Sequence, residues 1–85
     1  METYEQMIVA RRADGTVEAA GWDCDATRVD AAEWLERGLS LELVAADRIE
    51  SLPDEADIFS TTAAIGVVLS YAQAELLVSP STAVH

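Results

Sequence analysis

The sequence predicts an α+β domain: a small antiparallel sheet, made of an N-terminal hairpin plus a third strand, packed by a long C-terminal helix, with a short helix between strands two and three. Three stretches carry that prediction. Asp14-Gly15 separates two runs of strand-forming residues, Leu39-Ser-Leu-Glu-Leu43 alternates strictly, and Ser60 to Val78 (STTAAIGVVLSYAQAELLV) is the one part of the chain apolar enough to be a core by itself. Eighty-five residues suffice for one hydrophobic core and no second. The compact domain is expected over 1–79, with 80–85 a mobile tail beyond Pro80.

In the hairpin, Asp14-Gly15 suits the left-handed conformations of a tight two-residue turn. Pairing Ala13 with Thr16 sets Arg11 opposite Glu18, Val9 opposite Ala20 and Met7 opposite Trp22 on one face. Ile8, Ala10, Ala19 and Gly21 form the other face, a shelf of small residues on which a helix can lie close. Asp23 to Thr27 reads as a polar connection. Asp30 can cap a following helix with Glu33 reaching back to it, Trp34 and Leu35 give that helix a buried side, and Gly38 ends it.

Leu39 to Leu43 reads as the third strand, with one face buried. The same letters fit a helix running on through Gly38, because Leu35, Leu39, Leu43 and Ala46 are spaced for it, at a cost of about 1 kcal/mol for the interior glycine. Ala46 to Asp57 is acidic and broken by Pro53. Leu52-Pro53-Asp54-Glu55 resembles a helix opening, with Pro in the first turn and carboxylates near the positive end of the dipole, leading through Ile58 and Phe59 into the long helix.

For that helix, Ser60, Thr61 and Thr62 offer capping hydroxyls and Pro80 a stop. Ile65, Val68, Leu69, Ala72 and Leu76 share one apolar face, and Thr62, Gly66, Ser70 and Gln73 form a narrow stripe of small or mildly polar residues. The competing reading is a pair of strands, Ala64 to Ser70 and Glu75 to Val78, since Ile65, Val67 and Val68 are β-branched and Gly66 is a poor helix residue. Gln73 and Glu75 keep the apolar run well short of the roughly 20 residues that a membrane span needs.

Charge is the better guide to function. Sixteen Asp and Glu stand against five Arg and no Lys, for a net charge of -11. A surface that repels phosphates gains nothing from releasing their counterions, so direct binding of nucleic acid or an anionic membrane is disfavoured and a basic protein partner is favoured. The carboxylates gather in two groups: Asp23, Asp25, Asp30, Glu33 and Glu36 around the short helix, and Asp47, Glu50, Asp54, Glu55 and Asp57 before the long one.

Other chemistries fit poorly. Asp23, Asp25, Thr27 and Asp30 suggest a calcium loop, yet its required glycine and bidentate glutamate positions hold Arg28 and Trp34; no metal or cofactor is expected. There is no internal His, and Cys24 lies between Asp23 and Asp25, whose charges should raise its thiol pKa. No enzymatic activity is therefore expected. A lone cysteine cannot form an intrachain disulfide, and Glu2 and Glu5 stand where a signal peptide carries positive charge, so a cytoplasmic protein is expected.

The function expected is that of a non-enzymatic acidic inhibitor whose carboxylates imitate a run of phosphates and dock into a basic, nucleic-acid-binding site on a partner. Small inhibitors of restriction or CRISPR nucleases and small antitoxins offer an analogy of size and charge. The alternative is an assembly module that homodimerises through Thr62, Gly66, Ser70 and Gln73 on the apolar helix, with acidity serving solubility; Gly66→Leu would then abolish the dimer.

Overall fold

β1 (Gln6–Arg11) is the strand on which the sheet is built. It pairs antiparallel with β2 (Val17–Trp22) on one side and with β3 (Ser40–Ala45) on the other, and β4 (Val67–Val68) adds antiparallel to β3, giving the order β2-β1-β3-β4. The computed structural model describes residues 4–79; the expected tail, 80–85, lies outside them. Successive side chains of β1 point to opposite faces, and both faces are covered. Ile8 and Ala10 pack with Leu41, Leu35, Ala31 and Ala74, under α1 (Asp25–Glu36) and α3 (Tyr71–Val78). Met7 and Val9 pack with Val44, Ile49 and Ile58, under α2 (Ala46–Glu50) and a 3-10 helix (Glu55–Ser60). The predicted α+β class, with hairpin, third strand and intervening helix, is the one observed.

The hairpin register holds from Met7↔Trp22 to Ala10↔Ala19 and then shifts, so that Arg11 pairs with Val17 and Glu18 is the extra residue of a bulge. The turn is also one residue longer than expected. Arg12 N donates to Thr16 O (2.8 Å), Gly15 N donates to Arg12 O (2.9 Å), and Gly15 takes φ +94°. This is a three-residue loop with glycine in the left-handed position. The bulge breaks the expected Arg11–Glu18 pair: Glu18 instead meets Arg12 and Arg37, and Arg11 is left to turn under the sheet.

α1 begins six residues earlier than the Asp30 cap predicts, with Cys24 as N-cap and no side-chain capping bond. The small-residue shelf explains the early start. A Cβ added to Gly21 would lie 3.0 Å from Thr27 Cγ2, so glycine lets the first turn close down on β2. Asp30 is left exposed inside the helix. The C-terminus follows the sequence: Gly38 takes φ +88°, Gly38 N donates to Leu35 O (3.0 Å), and Leu39 N donates to Trp34 O (3.1 Å). This paired closure stops the helix at the glycine and releases β3.

The long C-terminal helix is replaced by four shorter pieces. Asp54 and Asp57 cap the 3-10 helix reciprocally, with Pro53 just ahead of the cap. Ser60 and Thr61 close that helix, their hydroxyls donating to Asp57 O (2.8 Å) and Ile58 O (2.9 Å). An irregular segment then leads to β4, where a Cβ on Gly66 would stand well inside contact distance of the Leu43 carbonyl. Ser70 and Gln73 form a second capping box (Gln73 N to Ser70 Oγ 3.1 Å, Ser70 N to Gln73 Oε1 2.9 Å), and α3 runs only from there. The strand alternative therefore describes Val67–Val68, and the helix describes Tyr71–Val78. Nor is this stretch the core, since Val67, Val68, Tyr71 and Leu76 are exposed and Ala74 is its one buried residue. The core is built instead on β1 and β3.

Glu42 reverses the expectation that β3 buries one face. It is 1% exposed, and its carboxylate meets Arg11, itself 6% exposed. Arg11 Nε donates to Glu42 Oε1 (2.6 Å), while its two terminal nitrogens donate to Gly15 O (2.8 Å), Thr61 O (2.9 Å) and Thr61 Oγ1 (2.8 Å). Glu42 Oε2 accepts from Ile65 N and Gly66 N, both at 2.7 Å. One ion pair thus ties the hairpin turn and the segment 61–66 to the centre of the sheet. Removing one member of a buried, hydrogen-bonded pair costs about 3–5 kcal/mol. Glu42→Ala should lower the unfolding free energy by about that much in urea, and the Arg11→Ala/Glu42→Ala double variant should lose clearly less than the sum of the singles. A loss below about 1 kcal/mol for Glu42→Ala would remove the clamp from the account.

Candidate functional site

The surface chemistry follows from where the arginines go. Arg11 is held by Glu42, Arg12 and Arg37 by Glu18, and Arg28 by Asp23 (2.6 Å). Glu18 and Glu42 belong to neither predicted acidic group, so three of these four guanidiniums neutralise carboxylates outside the candidate patches. Of the ten predicted partner-binding residues, Asp23 is the one with an ion pair among the described residues.

The two groups lie on opposite faces of the sheet. On α1, Asp25, Asp30, Glu33 and Glu36 are exposed, while Ala31 and Leu35 face the core. Residues three apart are neighbours on a helix surface, and at about 1.5 Å rise per residue Asp30, Glu33 and Glu36 rise in steps of about 4.5 Å. Each strand of a DNA duplex carries one charge per about 3.4 Å of axis, so this row has a comparable linear charge density.

On the other face, Asp47 and Glu50 on α2 are exposed, but three members of the group hold structure. Asp54 and Asp57 cap the 3-10 helix, and Glu55 Oε2 accepts a hydrogen bond from the Trp22 indole (2.8 Å). Of the predicted dimer residues, Thr62 is exposed in the irregular segment, Gly66 packs on the Leu43 backbone, and Ser70 and Gln73 cap α3. They do not form one stripe, because the helix that would align them is interrupted. Gly66→Leu would force β4 away from β3, whatever its effect on assembly.

Two protonation equilibria are shifted at the β2–α1 junction. The Arg28 guanidinium, aided by Gln6 Nε2 (2.8 Å), holds the Asp23 carboxyl below its ordinary value. The Cys24 thiol is lowered, where neighbouring carboxylates led to the expectation of a rise: the Thr27 hydroxyl (3.3 Å from Sγ) and the Thr27 backbone N–H outweigh the opposing effect of Asp25. Among the described residues no group of His, Cys, Asp and Glu is arranged to hold a metal ion, and no helix is long and apolar enough to cross a membrane.

No protein-family model, curated protein or solved structure matches the chain.

Sequence reasoning missed Arg11 and Glu42 as a pair. The available signal was an arginine ending an otherwise apolar strand, MIVAR.

Asp23 supplies a pH test. Its pKa is depressed on folding, so its contribution is complete above the unfolded carboxyl value of about 3.9 and is lost as pH falls through the lower folded value. Asp23→Asn should be less stable than the parent at pH 7, with the gap closing in urea titrations as pH falls below about 3.9. A gap unchanged from neutral to strongly acidic pH would show that the Arg28 contact contributes nothing.

Proposed function

We propose that this chain is a non-enzymatic acidic binding protein that occupies a basic, nucleic-acid-binding site on a partner protein. The observation that supports this reading most is the row Asp30, Glu33 and Glu36 on the outer face of α1, exposed and free of ion pairs among the described residues. A rigid helix presents its charges in fixed positions, so a groove shaped for phosphates can accept it without first ordering it. Asp47 and Glu50 add charge behind the sheet and strengthen the long-range attraction that speeds encounter. The role resembles that of small acidic inhibitors of nucleases or of antitoxins, with the partner's basic groove as the target.

A second reading draws on the apolar surface. No charged residue occurs from Ile58 to Ala74, and Val67, Val68 and Tyr71 within that span are exposed on the edge strand and the start of α3, with Leu76 beyond. Contact between two copies of charge -11 is least opposed across such a neutral area. In this reading the contact is the β4 edge, and the chain is an assembly module.

Two measurements separate the readings. With α1 as the docking face, a basic partner captured at about 0.01 M salt should be released toward about 1 M, where the screening length falls from about 30 to about 3 Å. Asp30→Lys/Glu33→Lys/Glu36→Lys should fail to capture it at all; equal capture by that variant would overturn the reading. Edge-strand assembly predicts a dimer by light scattering that Val68→Glu converts to monomer. A monomer at every concentration would dispose of that reading.

A further inference from the structure

The face of the sheet opposite α1 carries an open cleft of about 330 Å³ between β2 and the 3-10 helix. Met7 and Ile58 form its floor, Trp22 and the half-exposed Phe59 are aromatic walls, and Asp54 and Glu55 line its acidic side. No arginine lines it. The Trp22 indole donates to Glu55 Oε2 (2.8 Å). That bond fixes the carboxylate at the edge of the ring and leaves Glu55 Oε1 without a hydrogen bond among the described residues. Tyr4 stacks on Trp22, the ring centroids 6.1 Å apart, and steadies the indole.

We propose that this cleft binds the guanidinium side chain of an arginine carried by a partner polypeptide. An aromatic face attracts a cation through its quadrupole, and a neighbouring carboxylate completes the match. Guanidinium fits better than ammonium because it is planar, weakly hydrated, and able to stack on a ring while donating in its own plane to a carboxylate. The apolar floor takes the three-carbon stem. Charge complementarity selects the occupant: a second copy of this chain, at net charge -11, is repelled from Asp54 and Glu55, whereas a basic segment is drawn in. The site lies across the sheet from the α1 row and does not depend on it, so the two can fail separately.

The test is an NMR titration of the intact chain that follows the Trp22 indole resonance, with the Trp34 indole as internal control. The probe is an acetylated and amidated Gly-Arg-Gly peptide, and its citrulline counterpart keeps the shape without the charge. The arginine peptide should produce a saturable shift at Trp22 and none at Trp34, and the citrulline peptide should produce none. Phe59→Ala and Glu55→Gln, the latter keeping an acceptor for the indole, should each weaken binding about two- to fivefold. Glu75→Gln, exposed on α3 across the sheet from the cleft, should leave it unchanged. Three results would overturn the proposal: no saturable shift at Trp22, an equal shift with citrulline, or tetramethylammonium binding as tightly as the arginine peptide.

Discussion

The Arg11–Glu42 pair is the contact on which the arrangement of the other elements depends. Its two side chains rise from neighbouring central strands on the face that α2 and the 3-10 helix cover, and between them they bind the hairpin turn, the end of the 3-10 helix and the amides that precede β4. Segment 61–66 has no helix or strand of its own, so its backbone groups need partners from elsewhere. The ion pair supplies several. Two charges withdrawn from water in this way are tolerable only because nearly every donor and acceptor around them is used, and among the described residues no buried side-chain nitrogen or oxygen lacks a partner.

The same pair shapes the surface. The chain has five arginines for sixteen carboxylates, and the fold directs one arginine inward and two more to Glu18, the residue displaced by the β-bulge. The outer row of α1 is consequently left bare. The negative surface thus follows from topology as much as from composition. The bulge sets Arg11 opposite Val17 instead of Glu18, and its guanidinium pairs with Glu42.

Much of this was legible in the sequence where the signal is local. The register expected from the Asp14-Gly15 hairpin holds from Met7↔Trp22 to Ala10↔Ala19 although the turn is a residue longer, the small residues of β1 and β2 marked the face that α1 approaches, and Gly38 marked the end of that helix. The failures have specific physical causes. Asp30 and Glu33 make a plausible capping box, but Cys24 starts α1 with no side-chain cap at all, because packing of Thr27 on Gly21 sets the boundary. Ser60 to Val78 looked like the core since its apolar content is high. Content does not say which residues face inward, and the better local signals were Ser70 with Gln73 and the β-branched run around Gly66. Glu42 reads as outward-facing by alternation alone. Its burial follows from a second apolar set, Met7, Val9, Val44, Ile49 and Ile58, drawn from four separate elements that only the tertiary fold brings together. For the candidate site, the exposure of the α1 carboxylates was readable, whereas the pairing of each arginine was not.

The most direct test of the ion-pair clamp is amide hydrogen exchange in the unaltered protein. Ile65 and Gly66 lie outside regular secondary structure, yet their N–H groups point at a buried carboxylate. The account predicts that they exchange as slowly as the amides of β1 and β3, since they open only when the sheet does. Exchange at the rate of the exposed neighbours Ala63 and Ala64 would contradict it.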